Sequence, residues 1–173
     1  MDNYAEQLVK REQTGSDKRK KTLTYVFGIM MAAVLLMTVV LTFGSIMSII
    51  AVVLAIAAVY GTFAFGESMQ VEYEYLMTNG EMDIDKIIAQ KKRKTLITVD
   101  VRKFESFGKY DDSTDEDENM TVVICSDNIA SHEYYADLNH PEHGSTRIIF
   151  SPSSKMLEAM KIYMPAKLRN SLS

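Results

Sequence analysis

The chain has 173 residues, 19 of them Lys or Arg and 23 Asp or Glu, for a net charge of −4, with 47% hydrophobic residues and one cysteine. An acidic balance argues against a nucleic-acid binder with a broad basic face, and a single cysteine excludes an intrachain disulfide framework. The length leaves room for one modest soluble domain beside any membrane segment.

Residues 1–21 are polar, with six Lys/Arg against four Asp/Glu. Asp2-Asn3 can cap a short helix with Tyr4, Ala5, Leu8 and Val9 on one side. The segment therefore reads as an interfacial helix or as a solvated cytoplasmic leader. Lys18, Arg19, Lys20 and Lys21 then abut a stretch, residues 22–66, that holds no charged residue.

That stretch is about twice the ~20 apolar residues that one bilayer span requires, and it breaks at Phe43-Gly44-Ser45. Two transmembrane helices over 23–43 and 46–65, joined by a tight turn, are predicted. The apolar segment is too long, and too soon followed by another, for a cleaved signal peptide. The basic quartet holds its end in the cytoplasm by the positive-inside rule, so both termini are expected there, in a two-span protein of the cell membrane. Tyr25, Tyr60, Phe63 and Phe65 would share one interface. The spans carry no ionisable group, which argues against an ion or proton pathway. Ala51, Ala55 and Ala58 recur at helical spacing, Gly61 follows Ala57 by four, and the first span offers Gly28 and Ala32. Small faces let the two helices pack together or, as an alternative, form a homodimer seam.

Residues 67–173 hold 13 basic and 19 acidic residues. Val71, Tyr73, Tyr75 and Met77 alternate with polar positions, as a half-buried strand does. Asn79-Gly80 is a type I′ hairpin signal, since both positions need positive φ. Met82, Ile84, Ile87 and Ile88 continue into a returning strand. Lys91, Lys92, Arg93 and Lys94 read as a second turn, followed by a strand over 96–104 with Ile97, Val99 and Val101 on one face. Residues 106–119 read as a loop whose six acids at 111–118 are too charged to pack. Strands follow over 121–125, 133–138 and 146–150. Ser151-Pro152 opens a helix whose stripe of Met156, Leu157, Met160, Tyr163 and Met164 ends at Pro165. The soluble part thus reads as six or seven antiparallel strands closed by an amphipathic helix.

The basic run at 91–94 could contact anionic lipid headgroups, or simply keep a hairpin turn solvated. The acidic run lacks the Gly and distal Glu of a calcium loop. Cys125, His132, His140 and His143 are zinc-type residues without zinc spacing, since His140-x₂-His143 is tighter than a finger's pair. No nucleophile elbow or phosphate loop is present, and Cys125 lies in an apolar run. No catalytic residue, metal ligand or cofactor is assigned.

Tyr73-Glu74-Tyr75, Thr78-Asn79-Gly80-Glu81, Asp83-Ile84-Asp85-Lys86-Ile87, Arg93-Lys94 and Val99-Asp100 resemble a family of small two-span membrane proteins of clostridial-type bacteria. The layout, with Tyr75, Thr78, Arg93, Lys94, Val99 and Asp100, also resembles bacterial proteins in which a helical hairpin precedes a pleckstrin-homology-like (PH-like) domain. Those relatives imply a β barrel closed by the C-terminal helix, and the resemblance adds architecture and not an activity. The expectation is an α+β membrane protein: leader 1–21, transmembrane hairpin 22–66, and a cytoplasmic PH-like β domain 67–173. Its expected role is a non-enzymatic membrane-anchored module that meets lipid headgroups or a partner protein. One alternative is a structural or assembly subunit acting through the hairpin. Another is an enzyme on lipid-borne substrates, which a polar cleft with convergent Asp, His or Cys side chains would favour.

Overall fold

The computed structural model describes residues 4–111 and 119–172, so most of the acidic run lies outside the described residues. The chain divides into two compact units, residues 13–70 and the combination of 1–12 with 71–173.

The first unit is a helical hairpin. Helix α1 (Gly15–Leu41) starts earlier than the apolar stretch, because Thr14 and Asp17 form a reciprocal capping box. At 27 residues it is about 40 Å long by helical rise, so its basic first turns exceed what a ~30 Å hydrocarbon core can cover. Helix α2 (Ile46–Ser68) follows a four-residue turn in which Gly44 takes φ +84°. Both helices are long and apolar enough to cross a membrane.

The second unit opens with a strand where the sequence predicts an interfacial helix or a solvated leader: residues Tyr4–Lys10 form strand β1. Ala5 and Val9 point into the core at period two, and β1 pairs antiparallel with β2 (Val71–Thr78), Lys10 standing opposite Glu72. The hairpin is therefore inserted between two neighbouring strands of one sheet. Strands β3 (Glu81–Ile88) and β4 (Lys92–Asp100) complete that sheet in the order β1-β2-β3-β4. Asn79 and Gly80 take φ +50° and +92°, the type I′ geometry expected of an Asn-Gly turn.

A 3₁₀ turn at Val101–Lys103 leads to β5 (Phe104–Lys109), inside what the sequence suggested was the end of one strand and the start of a loop. Strands β6 (Thr121–Ile124), β7 (Tyr134–His140) and β8 (Gly144–Phe150) join it in a second sheet of order β5-β7-β8-β6. Here β6 runs parallel to β8, so the domain is not wholly antiparallel. Among the described residues, eight strands form two four-stranded sheets.

Helix α3 (Ser154–Tyr163) packs Met156, Ala159 and Met160 into the core, joined by Met164. Its cap is Ser153, two residues past the predicted Ser151-Pro152 opening, and the Ser153 Oγ accepts from the Met156 N–H. At the centre, Tyr75 and Phe150 meet edge to face at 6.0 Å. The fully buried Tyr75 hydroxyl donates to the Cys125 carbonyl at 2.6 Å and accepts from the Ser151 N–H at 3.2 Å. Burial pushes that phenol's pKa well up, so it stays protonated and satisfied.

Candidate functional site

Most of the residues singled out above fall in three places. The first is the open end of the β1-β2-β3-β4 sheet. The β3–β4 turn falls at 89–91, where Ala89 and Gln90 take φ +54° and +56° and the Lys91 N–H donates to the Ile88 carbonyl. Lys92, Arg93 and Lys94 are thus the first residues of β4, opposite Ile88, Ile87 and Lys86, and not turn residues. The register carries Lys92 through Ile88 to Val71, and Arg93 through Ile87 and Glu72 to Lys10. Accordingly 91–94 lie at the sheet end where the chain leaves β1 and re-enters β2.

The four basic residues are not equivalent. Arg93 folds back on the outer sheet face, its Nη2 2.6 Å from Glu74 Oε2 and its Nε 3.8 Å from Asp85 Oδ2. Glu74 and Asp85 are buried and directly opposed on adjacent strands, a pairing of like charges that destabilises a sheet unless a cation answers it. The contact to Glu74 lacks hydrogen-bond alignment, and Asp85 Oδ1 has no hydrogen-bond partner among the described residues. Arg93 therefore serves as a counter-ion, though it is exposed like Lys91, Lys92 and Lys94.

The second place is a polar cleft of about 370 Å³ at the start of α3. Gln7 of β1 clasps that start: its Nε2 donates to the Ser151 carbonyl at 2.9 Å and its Oε1 accepts from the Ser153 N–H at 2.7 Å. Asp127 sits behind, accepting from Ser151 Oγ at 2.7 Å and from the Ile129 N–H, with its other oxygen 2.9 Å from His132 Nδ1. Partial burial raises the Asp127 pKa, but the bonds from His132, Ser151 and Ile129 outweigh it and hold the carboxyl below the ordinary aspartate value. Serine and imidazole lie on opposite sides of the carboxylate. The hydroxyl proton points at Asp127, so His132 is not placed as its base, as a nucleophilic triad requires.

Gln7 had no signal of its own, being the middle of an Ala5-Gln7-Val9 alternation too short to stand out. The remaining zinc-type residues are dispersed. His140 and His143 stack at 4.8 Å, and Cys125 is fully buried with its Sγ against the Ile149 carbonyl and its pKa pushed well up by burial. Among the described residues no group of three His, Cys, Asp or Glu side chains is placed to hold a metal.

The third place is the small-residue face of the hairpin. Gly28, Ala51, Ala55 and Gly66 are buried between α1 and α2. A Cβ on Gly28 would lie 2.1–2.8 Å from the Thr62 side chain, so glycine is required by close approach. Ala58 is half-buried and Gly61 faces open space. The face containing Ala51 and Ala55 is therefore occupied within the hairpin, and a second copy could reach it only by displacing α1.

A sequence model described as Bacterial PH-like domain (DUF6106) matches residues 1–170. The chain belongs to this family. The match spans β1, the hairpin and both sheets, so the insertion of two apolar helices after the first strand lies within the family's own extent. Comparison with curated proteins and with solved structures returns no match. The two apolar helices fit a two-span membrane protein, and the family model that covers them describes a PH-like domain.

Proposed function

We propose that this protein is a non-enzymatic, membrane-anchored module whose PH-like domain lies in the cytoplasm and meets anionic lipid headgroups through Lys91, Lys92 and Lys94. The observation that carries this reading is the register of the first sheet. It sets the basic segment at the same sheet end as Lys10 and Val71, the two points at which the chain passes to and from the apolar hairpin. Exposed lysines near an anionic leaflet each gain about 1 kcal/mol, within a Debye length of ~8 Å.

A hairpin that leaves β1 and returns to β2 brings both termini to one side of the membrane, and Lys18–Lys21 chooses the cytoplasm as that side. The polar cleft does bring Asp127 and His132 together, as the enzyme alternative asks, but Ser151 Oγ donates to Asp127 and not to His132, so no nucleophile–base pair is set up there, which favours the non-enzymatic reading. A headgroup-binding role and an assembly role through the hairpin differ in what the lysines do.

Hydrogen–deuterium exchange on the full chain in nanodiscs separates them. Amides at 89–94 exchange more slowly in discs containing phosphatidylglycerol than in phosphatidylcholine alone. The difference disappears at about 0.5 M salt, where the Debye length is roughly halved, and in the variant K91Q/K92Q/K94Q. Equal exchange in the two kinds of disc refutes headgroup contact.

A further inference from the structure

We infer that β6 is a homotypic pairing edge, at which a second copy of this chain adds its own β6 antiparallel across a twofold axis. Strand β6 ends the second sheet, and among the described residues no strand pairs with its outer side. The Cys125 N–H donates to the Ile149 carbonyl, so by strand alternation Val123 also faces β8. Val122 and Ile124 therefore turn both their N–H and their C=O outward.

Their side chains stand on one face, 37% and 62% exposed, while Val123 packs on the core. Native edges are usually blunted by charge or proline. Edge strands β1, β4 and β5 carry Glu6 and Lys10, Lys92–Lys94, and Glu105 and Lys109 respectively, whereas Thr121–Ile124 has neither charge nor proline.

The geometry is self-complementary, and this selects a second copy as the occupant. With Val123 opposite Val123 of the other copy, each Val122 faces an Ile124. The outward N–H and C=O groups of both residues are then satisfied in four reciprocal bonds, with cross-strand apolar pairs on the same face. A twofold axis normal to the sheet makes the pairing isologous and the two strands antiparallel. Four-residue strands bury far less than the ~1,000 Å² of a stable interface. Pairing therefore depends on both copies sharing one membrane, which raises their effective concentration. That last step rests on the anchored reading above.

The test is disulfide trapping in native membranes with the full chain. Antiparallel partners in a hydrogen-bonded pair have Cα atoms about 5.5 Å apart, within the ~4.4–6.8 Å that a disulfide spans. Identical residues sit diagonally, about 7–8 Å or more apart and beyond easy reach. Under copper–phenanthroline, V122C co-expressed with I124C gives a cross-linked dimer, and either variant alone gives little. Detergent dilution before oxidation abolishes the dimer. Folding is checked by mass: native chains take one maleimide, and the buried Cys125 takes a second only after denaturant. No dimer from the folded mixed pair, or equal dimer from each single variant, overturns the proposal. An alkaline carbonate wash reports anchorage separately, so a chain that washes off the membrane refutes the anchored reading and not the edge.

Discussion

Replacing Gly80 by Ala tests the packing of the Asn-Gly turn against the closing helix. Two costs combine there. Gly80 has φ +92°, where a side chain costs roughly 1–2 kcal/mol. A Cβ would also lie 3.0 Å from Cγ and Cδ1 of Tyr163, so the ring at the end of α3 must shift, at roughly 1 kcal/mol for an off-rotamer displacement. The sum, about 2–3 kcal/mol, lowers the unfolding midpoint of a domain of this size by roughly 10 °C or more. Gly144 is the internal control, because it has φ +67° with nothing within 4 Å of its added Cβ. Gly144→Ala carries only the backbone cost and shifts the midpoint less. The buried Cys125 supplies the assay: a thiol-reactive dye reports its exposure during a thermal ramp of the detergent-solubilised chain. In a Tyr163→Ala background, Gly80→Ala should lose its contact cost and fall to the Gly144→Ala value. If Gly80→Ala is no worse than Gly144→Ala, or if Tyr163→Ala leaves its effect unchanged, the reasoning is wrong.

The cytoplasmic placement is checked with Glu142→Cys, at an exposed β7–β8 turn position. A membrane-impermeant maleimide should label it only after cells are opened, and labelling in intact cells places the domain on the other side. Asp127 predicts a pH dependence. Its pKa is held below the ordinary aspartate value, so its stabilisation is present above the unfolded pKa and lost as pH falls through the lower folded pKa. Asp127→Asn should flatten the acid limb of a circular-dichroism stability profile below about pH 4, and an unaltered limb would remove Asp127 from the account.

The parts of this fold legible in the sequence were those with local chemistry. The uncharged stretch, its break at Gly44, the Asn79-Gly80 turn and the Met156/Met160/Met164 stripe each fix their structure within a few residues. What escaped depends on distant partners or on turns without marker residues. Strand β1 finds its ladder at Val71–Thr78 across the whole hairpin, so Tyr4–Lys10 shows no neighbouring strand to pair with. Strand β5 begins directly after a 3₁₀ turn, and its register with β7 shifts between Phe104 and Ser106, which blurs the alternation. The β3–β4 turn puts positive φ on Ala89 and Gln90, where composition favours neither, so sequence alone assigns the turn to the basic residues beside it. The cleft at Gln7, Asp127 and Ser151 joins three segments far apart in the chain, and spacing could not assemble it.

The placement of the hairpin inside the domain also decides when the protein can fold. Strand β1 is synthesised first, but its partner β2 leaves the ribosome only after both apolar helices. The first sheet therefore cannot close until the whole hairpin has been made, and a stalled or mistargeted hairpin leaves Ala5 and Val9 as exposed bait for quality control. The same arrangement makes release difficult. A single proteolytic cut between β1 and α1, or between α2 and β2, leaves one covalent leash intact and the other held by the β1–β2 ladder. Shedding the folded domain requires both cuts.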